Sequence, residues 1–358
     1  MPLKNGQILN NKYRILGHIN NDSEGERTFS STYKAENIQS KQYVVIKTPK
    51  SGIHFHKRFL EKEIPILKRV SNNNEHIVSF LDDFFIDGQP YLVMQFIEGK
   101  TLEKYVQETR IELTNNQNFE EALEYIRQIG RALIKLHNQN PTIVHRDIKP
   151  DNIMLQKIQD PYDNKTKYKA ILIDFGIAGR SDLIGIKPTN LGSGNYAPYE
   201  QKIPGECPYK QKFANECNMS VTEILDKNKC VDKHNLSTKC KLATYLKPTL
   251  DIYSLAATLY FVIKKEPPPD SISRSANDNL AKEIYKNIYL ANQEQAKLYI
   301  ALYKGMEFEA DTRCQRMEDW INMLEPNSSI NKWAFFISVA VNYVKKLFKY
   351  VKKLVKSI

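Results

Sequence analysis

The sequence predicts an α+β protein of two lobes, a small β-rich one followed by a larger helical one. Three observations carry this. Apolar residues alternate with period two in short runs up to about residue 97. From Phe119 the period becomes helical, with Ala122, Ile126, Ile129, Leu133 and Leu136 on one face. The 358 residues, 41% of them hydrophobic, suffice for one bilobal domain of this kind with a tail.

Strands are expected at Tyr13–Ile19, Thr28–Glu36, Gln42–Thr48, Ile77–Phe85 and Tyr91–Ile97. One helix, Lys57–Val70, interrupts them and is itself interrupted by Pro65. After the helix ending near His137 come strand-like Ile153–Leu155 and Ala170–Ile173. Further helical stretches follow at Asp251–Lys264, Leu280–Met306 and Met317–Leu324. These set the expected boundaries: a first lobe of about residues 13–97, a second of about 98–325, an insertion at about 203–248 and a tail at 326–358.

The chain carries a net charge of +11, and seven lysines without any acid lie in residues 332–358. The basic character therefore belongs mainly to the tail. Residues 1–20 show no charged-then-apolar leader, so a cytoplasmic protein is expected.

The chemistry concentrates in His145-Arg146-Asp147-Ile148-Lys149-Pro150-Asp151-Asn152. Asp147 can accept the proton of an incoming hydroxyl, and Lys149 can neutralise charge on a moving phosphoryl group. Asn152, five residues after Asp147, can hold a metal ion beside it. Asp174-Phe175-Gly176 follows a strand, and a carboxylate so placed can chelate magnesium that bridges phosphates. Lys47 ends the strand Tyr43-Val44-Val45-Ile46 and can pair with phosphates, oriented by a helix glutamate, Glu63 or failing it Glu61.

These segments, in this order, resemble the eukaryotic-type protein kinase family in its bacterial, cyanobacterial-like Ser/Thr branch. The resemblance extends over about residues 13–324 and implies a bilobal kinase fold, ATP and Mg2+ as cofactors, and protein substrates. The implied catalytic residues are Asp147, Lys149 and Asn152, and the implied metal ligands are Asn152 and Asp174. Nucleotide contacts are implied for Gly25, Thr32, Val45, Lys47, Glu63, Met94, Gln95, Ile97, Met154 and Asp174. Met94 corresponds to the gatekeeper, and the Gln95 carbonyl and Ile97 amide to the groups that meet adenine. Lys149 implies Ser/Thr rather than Tyr as acceptor. Asp251 is implied to hold the backbone of the catalytic loop, and Arg313 to pair with Glu200.

The chain departs from the family at several places. Of the three glycines of the nucleotide loop only Gly25 survives, with Arg27 and Ser30 at the other two positions. This reads either as a tolerated variant or as weakened ATP binding. Val45 replaces a smaller Ala, which narrows the adenine pocket. Residues 174–200 form the expected activation segment, with Ser181, Thr189 and Ser193 as phosphorylation candidates and Ser193 equally a structural hydroxyl. Cys207, Cys217, Cys230 and Cys240 are separated by nine, twelve and nine residues. Scattered thiols, a metal or disulfide staple and a redox switch all fit that spacing.

In the tail, Val344, Leu347, Phe348, Val351, Leu354, Val355 and Ile358 keep helical spacing. Lys345, Lys346, Lys349, Lys352, Lys353 and Lys356 lie between them. Such a segment suits an anionic membrane surface, and also packing on its own domain or in a partner's groove. The chain is then expected to be peripheral on the inner face of a membrane. No stacking motif accompanies the lysines, so nucleic acid is not an expected partner.

Overall fold

A computed structural model describes residues 2–19, 30–50, 56, 59–111, 117–160, 163–180, 194–202, 247–274, 278–327, 330–331 and 333–338. Gly25, Arg27, Ser181, Thr189, Ser193, the four insertion cysteines and the lysines from Lys345 to Lys356 lie outside them.

The first lobe is an antiparallel sheet in the order β1-β2-β3-β4-β6-β5. Its strands are β1 (Ile8–Leu9), β2 (Tyr13–His18), β3 (Ser30–Asn37), β4 (Tyr43–Pro49), β5 (Phe80–Ile86) and β6 (Gln89–Gln95). The alternation that predicted them has a direct cause. Tyr13, Ile15, Tyr33, Ala35, Val44, Ile46 and Val93 point into one buried layer, while their neighbours face the other way. Tyr13, Phe84 and Tyr91 stack through that layer at 5.8 and 5.1 Å.

A π-helical turn, Phe59–Glu63, leads into α1 (Ile64–Val70). Pro65 falls in the first turn of α1, where its missing N–H removes no helical hydrogen bond. The expected interruption is therefore a helix start.

The chain then forms β7 (Gly99–Thr101) and α2 (Leu102–Glu108), which Thr101 caps by accepting the Lys104 N–H at 3.2 Å. Helix α3 (Gln117–His137) buries Phe119, Leu123, Ile126, Ile129, Leu133 and Leu136. After β8 (Ile143–Val144) comes a long hairpin of β9 (Ile153–Asp160) and β10 (Asp163–Leu172). β11 (Gly179–Arg180) pairs with β8, and one helical turn, α4 (Tyr199–Lys202), follows.

Helix α5 (Thr249–Lys264) is buried over most of its length, as an apolar central helix must be. Around it lie α6 (Ser271–Arg274), α7 (Asn279–Leu290), α8 (Gln293–Gly305) and α9 (Met317–Asn322). The stretch Leu280–Met306 thus divides in two, because Asn292 leaves the helical conformation and caps α8 through the Gln295 N–H. Gly130 of α3 faces α9 so closely that a Cβ there would come within 2.0 Å of Ile321 Cδ1.

The lobes are tied by backbone. Val78 N–H donates to the Leu172 carbonyl at 3.0 Å, and Leu172 N–H to the His76 carbonyl at 2.8 Å. The end of β10, two residues before Asp174, is thereby fixed against the first lobe.

Packing continues past Leu324. A helical turn at residues 333–338 starts at Asn331, whose side chain accepts the Trp333 N–H at 2.8 Å. Phe335 is buried there against Tyr285 of α7 and Tyr303 of α8.

Candidate active site

Lys47, late in β4, is buried, and its Nζ lies 2.6 Å from Glu63 Oε1 and 2.6 Å from Asp174 Oδ1. Glu63 is buried at the junction of the π-helical turn with α1, whereas Glu61 is exposed. Three residues from distant parts of the chain thus make one charged cluster. Burial opposes the ammonium of Lys47, but the charges and hydrogen bonds of Asp174 and Glu63 outweigh it and raise its pKa. Partial burial likewise opposes the Asp174 carboxylate, and the Lys47 ammonium outweighs it, holding the group well below the usual carboxylate range.

Asp174 has φ +62°, and its Oδ1 accepts the Gly176 N–H at 3.1 Å. A Cβ on Gly176 would sit 3.0 Å from Asp174 Oδ1 and 3.3 Å from Lys47 Nζ, so a side chain there would crowd the ion pair. Phe175 is buried edge-on against His145, with ring centroids 4.7 Å apart.

The catalytic-loop segment is held from within the second lobe. Asp251 of α5, fully buried, accepts the His145 N–H at 2.9 Å and the Arg146 N–H at 2.8 Å. Its third partner is His137 Nε2 at 2.8 Å. Burial would raise the Asp251 pKa, and the hydrogen bond and charge of His137 reverse this. Burial lowers the pKa of His145, against the nearby carboxylates.

Asn152 Nδ2 donates to both the backbone carbonyl of Asp147, at 2.8 Å, and its Oδ2, at 2.9 Å. Its amide oxygen is thereby directed away from Asp147. That oxygen and the Asp174 carboxylate are hard donors of the kind magnesium takes, and magnesium needs only one or two carboxylates beside phosphate. The donor set fits the ion. Among the described residues no group of three or more His, Cys, Asp or Glu gathers as a metal site.

Val45 of β4 stands directly opposite Met94 of β6, and Val44 opposite Gln95. Met94 and Ile97 are buried. Met154 lies on β9 opposite Thr101, and Thr32 lies on β3 opposite Lys47. Thr32, Val45 and Met94 thus sit on β3, β4 and β6, the strands that carry or flank Lys47, and Met154 on the strand that follows the His145–Asn152 segment. Lys149 immediately precedes the one-turn helix Pro150–Asn152.

Sequence reasoning missed two features here. Glu103 of α2 and Asp151 face each other beside Lys149. The hydrogen bond with Asp151 and then burial push the Glu103 carboxyl up to about 7. Gln201 of α4 donates from Nε2 to the Arg146 carbonyl at 2.6 Å. Both contacts join segments far apart in sequence, and no local pattern signals them. The ion pair of Arg313 with Glu200 is present, buried, at 2.8 Å.

Comparison with known proteins shows the family and the fold. The family described as "Protein kinase domain" matches residues 21–214, more than half of the chain. A probable serine/threonine-protein kinase of Clostridium acetobutylicum is 33% identical over 210 residues, covering 56% of this chain and 28% of that protein. The probable serine/threonine-protein kinase YbdM of Bacillus subtilis is 32% identical over 182 residues, covering 49% of this chain and 61% of YbdM. The chain therefore spans between about a quarter and three-fifths of the length of these curated relatives. A solved structure titled "PpkA-294 apo form" superposes with a TM-score of 0.56 at 20% identity, covering 90% of this chain and 99% of that one, which shows the shared fold. The chain belongs to the protein kinase domain family.

Proposed function

We propose that the chain is a serine/threonine protein kinase that transfers the γ-phosphoryl group of ATP to protein hydroxyls with magnesium. The observation that carries this reading is Lys47 Nζ held 2.6 Å from both Glu63 and Asp174. Lys47 is so placed that it can meet phosphate oxygens, with Glu63 fixing its direction. Asp174 and Asn152 are the residues that would hold magnesium, which when bound neutralises charge on the transferred phosphate. Asp147 orients the acceptor hydroxyl and takes its proton, with its carboxylate steadied by Asn152. Lys149, two residues on, offers positive charge to the phosphoryl group in transit. Val45, Met94, Gln95, Ile97, Met154, Gly25 and Thr32 complete the nucleotide site in this reading, and residues 13–325 form the catalytic domain.

Incubation with labelled ATP, magnesium and a generic protein substrate, followed by phospho-residue analysis, tests it. Label on serine and threonine is the expected result. ATP binding without ADP formation would favour the competing reading, a weakly active or inactive kinase-fold scaffold in which Arg27 and Ser30 have spoiled the nucleotide loop.

A second part of the proposal concerns location: the tail rests on an anionic membrane surface. Phe335 anchors the turn at 333–338 to the domain, while Trp333 and Ile337 remain 60% and 65% exposed. Tyr289 and Leu290, at the end of α7, are 63% and 67% exposed, and Phe336 lies between Trp333 and Tyr289 with ring centroids 6.1 and 6.2 Å away. An apolar surface therefore adjoins the point from which the lysine-rich sequence continues, the combination that suits anionic lipid. Among the described residues no helix is long and apolar enough to cross a membrane.

A further inference from the structure

Helix α4 is a single turn, yet three of its consecutive polar side chains are buried: Glu200, Gln201 and Lys202. Each reaches a different part of the second lobe. Glu200 pairs with Arg313, Lys202 pairs with Asp270, and Gln201 reaches the catalytic loop. The orientation of the Gln201 amide follows from chemistry, since only its NH2 can donate to the Arg146 carbonyl.

Arg146 has φ +73°. A non-glycine residue in that region is strained and persists only where its surroundings over-determine it. They do so here from both ends. The N–H of Arg146 donates to Asp251 Oδ1 at 2.8 Å, and its carbonyl accepts from Gln201 at 2.6 Å. That carbonyl lies in the peptide plane that ends at the Cα of Asp147. The bond from Gln201 therefore bears on the direction in which the side chain of Asp147 leaves the backbone. Asn152 holds the other side of the same residue, through its carbonyl and Oδ2.

We propose that Gln201 is a positioning residue for Asp147, linking the end of the activation segment to the catalytic loop. The inference rests on the kinase reading above. It separates Gln201 from Glu200 and Lys202, whose ion pairs tie the helix to Arg313 and Asp270 elsewhere in the lobe. Loss of the Gln201 donor should leave the nucleotide site intact and impair the phosphoryl-transfer step alone.

The test compares full-length wild type with Gln201→Met, which keeps the shape and removes the donor, and Gln201→Glu, which keeps polarity but sets a carboxylate against a carbonyl. Steady-state kcat, KM for ATP and melting temperature are measured for all three. The expected result is a fall in kcat of about 10- to 100-fold in both variants, as a misplacement of about 1 Å produces. KM for ATP should stay within about threefold, too little for a lost phosphate contact. If Gln201→Met fails to fold, Gln201→Glu decides. Wild-type kcat in a folded variant overturns the proposal, as does a loss of kcat matched by a rise in KM and a drop in melting temperature. A wild-type chain that makes no ADP overturns the kinase reading and this inference with it.

Discussion

Lys47 and Glu63 meet at 2.6 Å where neither side chain exposes more than 8% of its surface. The pair is shared, because Lys47 also binds Asp174. Replacing Lys47 by Met leaves two carboxylates without their cation, whereas Glu63→Gln leaves Lys47 with Asp174. Both should abolish most transfer activity, and Lys47→Met should destabilise more, since breaking a buried pair costs about 3–5 kcal/mol. Asp174 has 42% of its side chain exposed, so water tempers its share. The pH signs follow. The lowered pKa of Asp174 makes its contribution present above about pH 3.9 and lost as pH falls through the folded value. The raised pKa of Lys47 makes its contribution present below about pH 10.4 and lost as pH rises through the folded value. Urea midpoints across this range should show a plateau between these limits, with a shallower acid limb in Lys47→Met.

Asp147 and Asn152 can be told apart by magnesium. In the proposed mechanism Asp147→Ala removes only the base, so it should lower kcat by about 10²–10⁴-fold with the magnesium requirement unchanged. If Asn152 holds magnesium as proposed, Asn152→Ala should lower kcat and raise the magnesium concentration needed for half-maximal rate, because the ligand and the bond steadying Asp147 go together. Identical magnesium curves in wild type and Asn152→Ala would remove Asn152 from the metal site.

Arg313 is a stability prediction. It donates to Glu200 Oε1 at 2.8 Å and to the carbonyls of Thr249, Glu307 and Phe308 at 2.9, 3.0 and 3.1 Å. Arg313→Met strands a buried carboxylate and should cost about 3–5 kcal/mol in urea unfolding. Adding Glu200→Gln should recover part of that loss, and Arg313→Lys should not restore it, since one ammonium cannot reproduce the planar fork. A loss below about 1 kcal/mol, the range of a surface pair, would show the pair to be dispensable.

Glu103 gives a pH signature near neutrality. Its folded pKa, pushed up to about 7 by Asp151 and burial, exceeds the unfolded value of about 4.3. The folded state therefore binds a proton more tightly. Its contribution is full below about pH 4.3 and is lost as pH rises through 7. Glu103→Gln should flatten the stability profile between about pH 5 and 8. An unchanged profile would mean that the Glu103 carboxyl is not held protonated beside Asp151 in the folded state.

The sequence showed the elements whose period reflects one buried face, and these carry Lys47 and frame the loop segments of Asp147, Asn152 and Asp174, which the motifs alone marked. Tyr33, Ala35, Val44 and Ile46 alternate because one sheet face is covered, and Lys47 follows from that register. The long hairpin arms beyond Leu155 and before Ala170 were not legible. Their pairing, Lys157 opposite Tyr168 and Ile158 opposite Lys167, is held by backbone bonds, and polar residues such as Lys157 and Lys167 break any apolar alternation. Helix α2, with seven residues, is too short to establish a period. The reach of Gln201 to Arg146 spans 55 residues of chain, and only folding brings the two together. The Arg313–Glu200 pair, 113 residues apart, was readable through family resemblance alone.

The membrane reading depends on two parts of the tail that can be removed separately. Truncation after Ser338 deletes the lysines from Lys345 to Lys356 and leaves Phe335 on Tyr285 and Tyr303, so the domain keeps its cover. Trp333→Ser with Ile337→Ser keeps every lysine and removes two exposed apolar groups. Each lysine near an anionic surface contributes about 1 kcal/mol, and salt weakens that attraction. Co-sedimentation is measured with vesicles of graded anionic-lipid content at low and moderate salt. The full chain should pellet with anionic vesicles and be partly released by salt. The truncated chain should stay in solution. The double serine variant should bind more weakly, and what binding remains should be more sensitive to salt, because only charge holds it. Should the truncated and full chains pellet equally, or neither pellet at all, the lysine-rich segment does not hold the protein on lipid, and packing on its own domain or in a partner's groove becomes the better account.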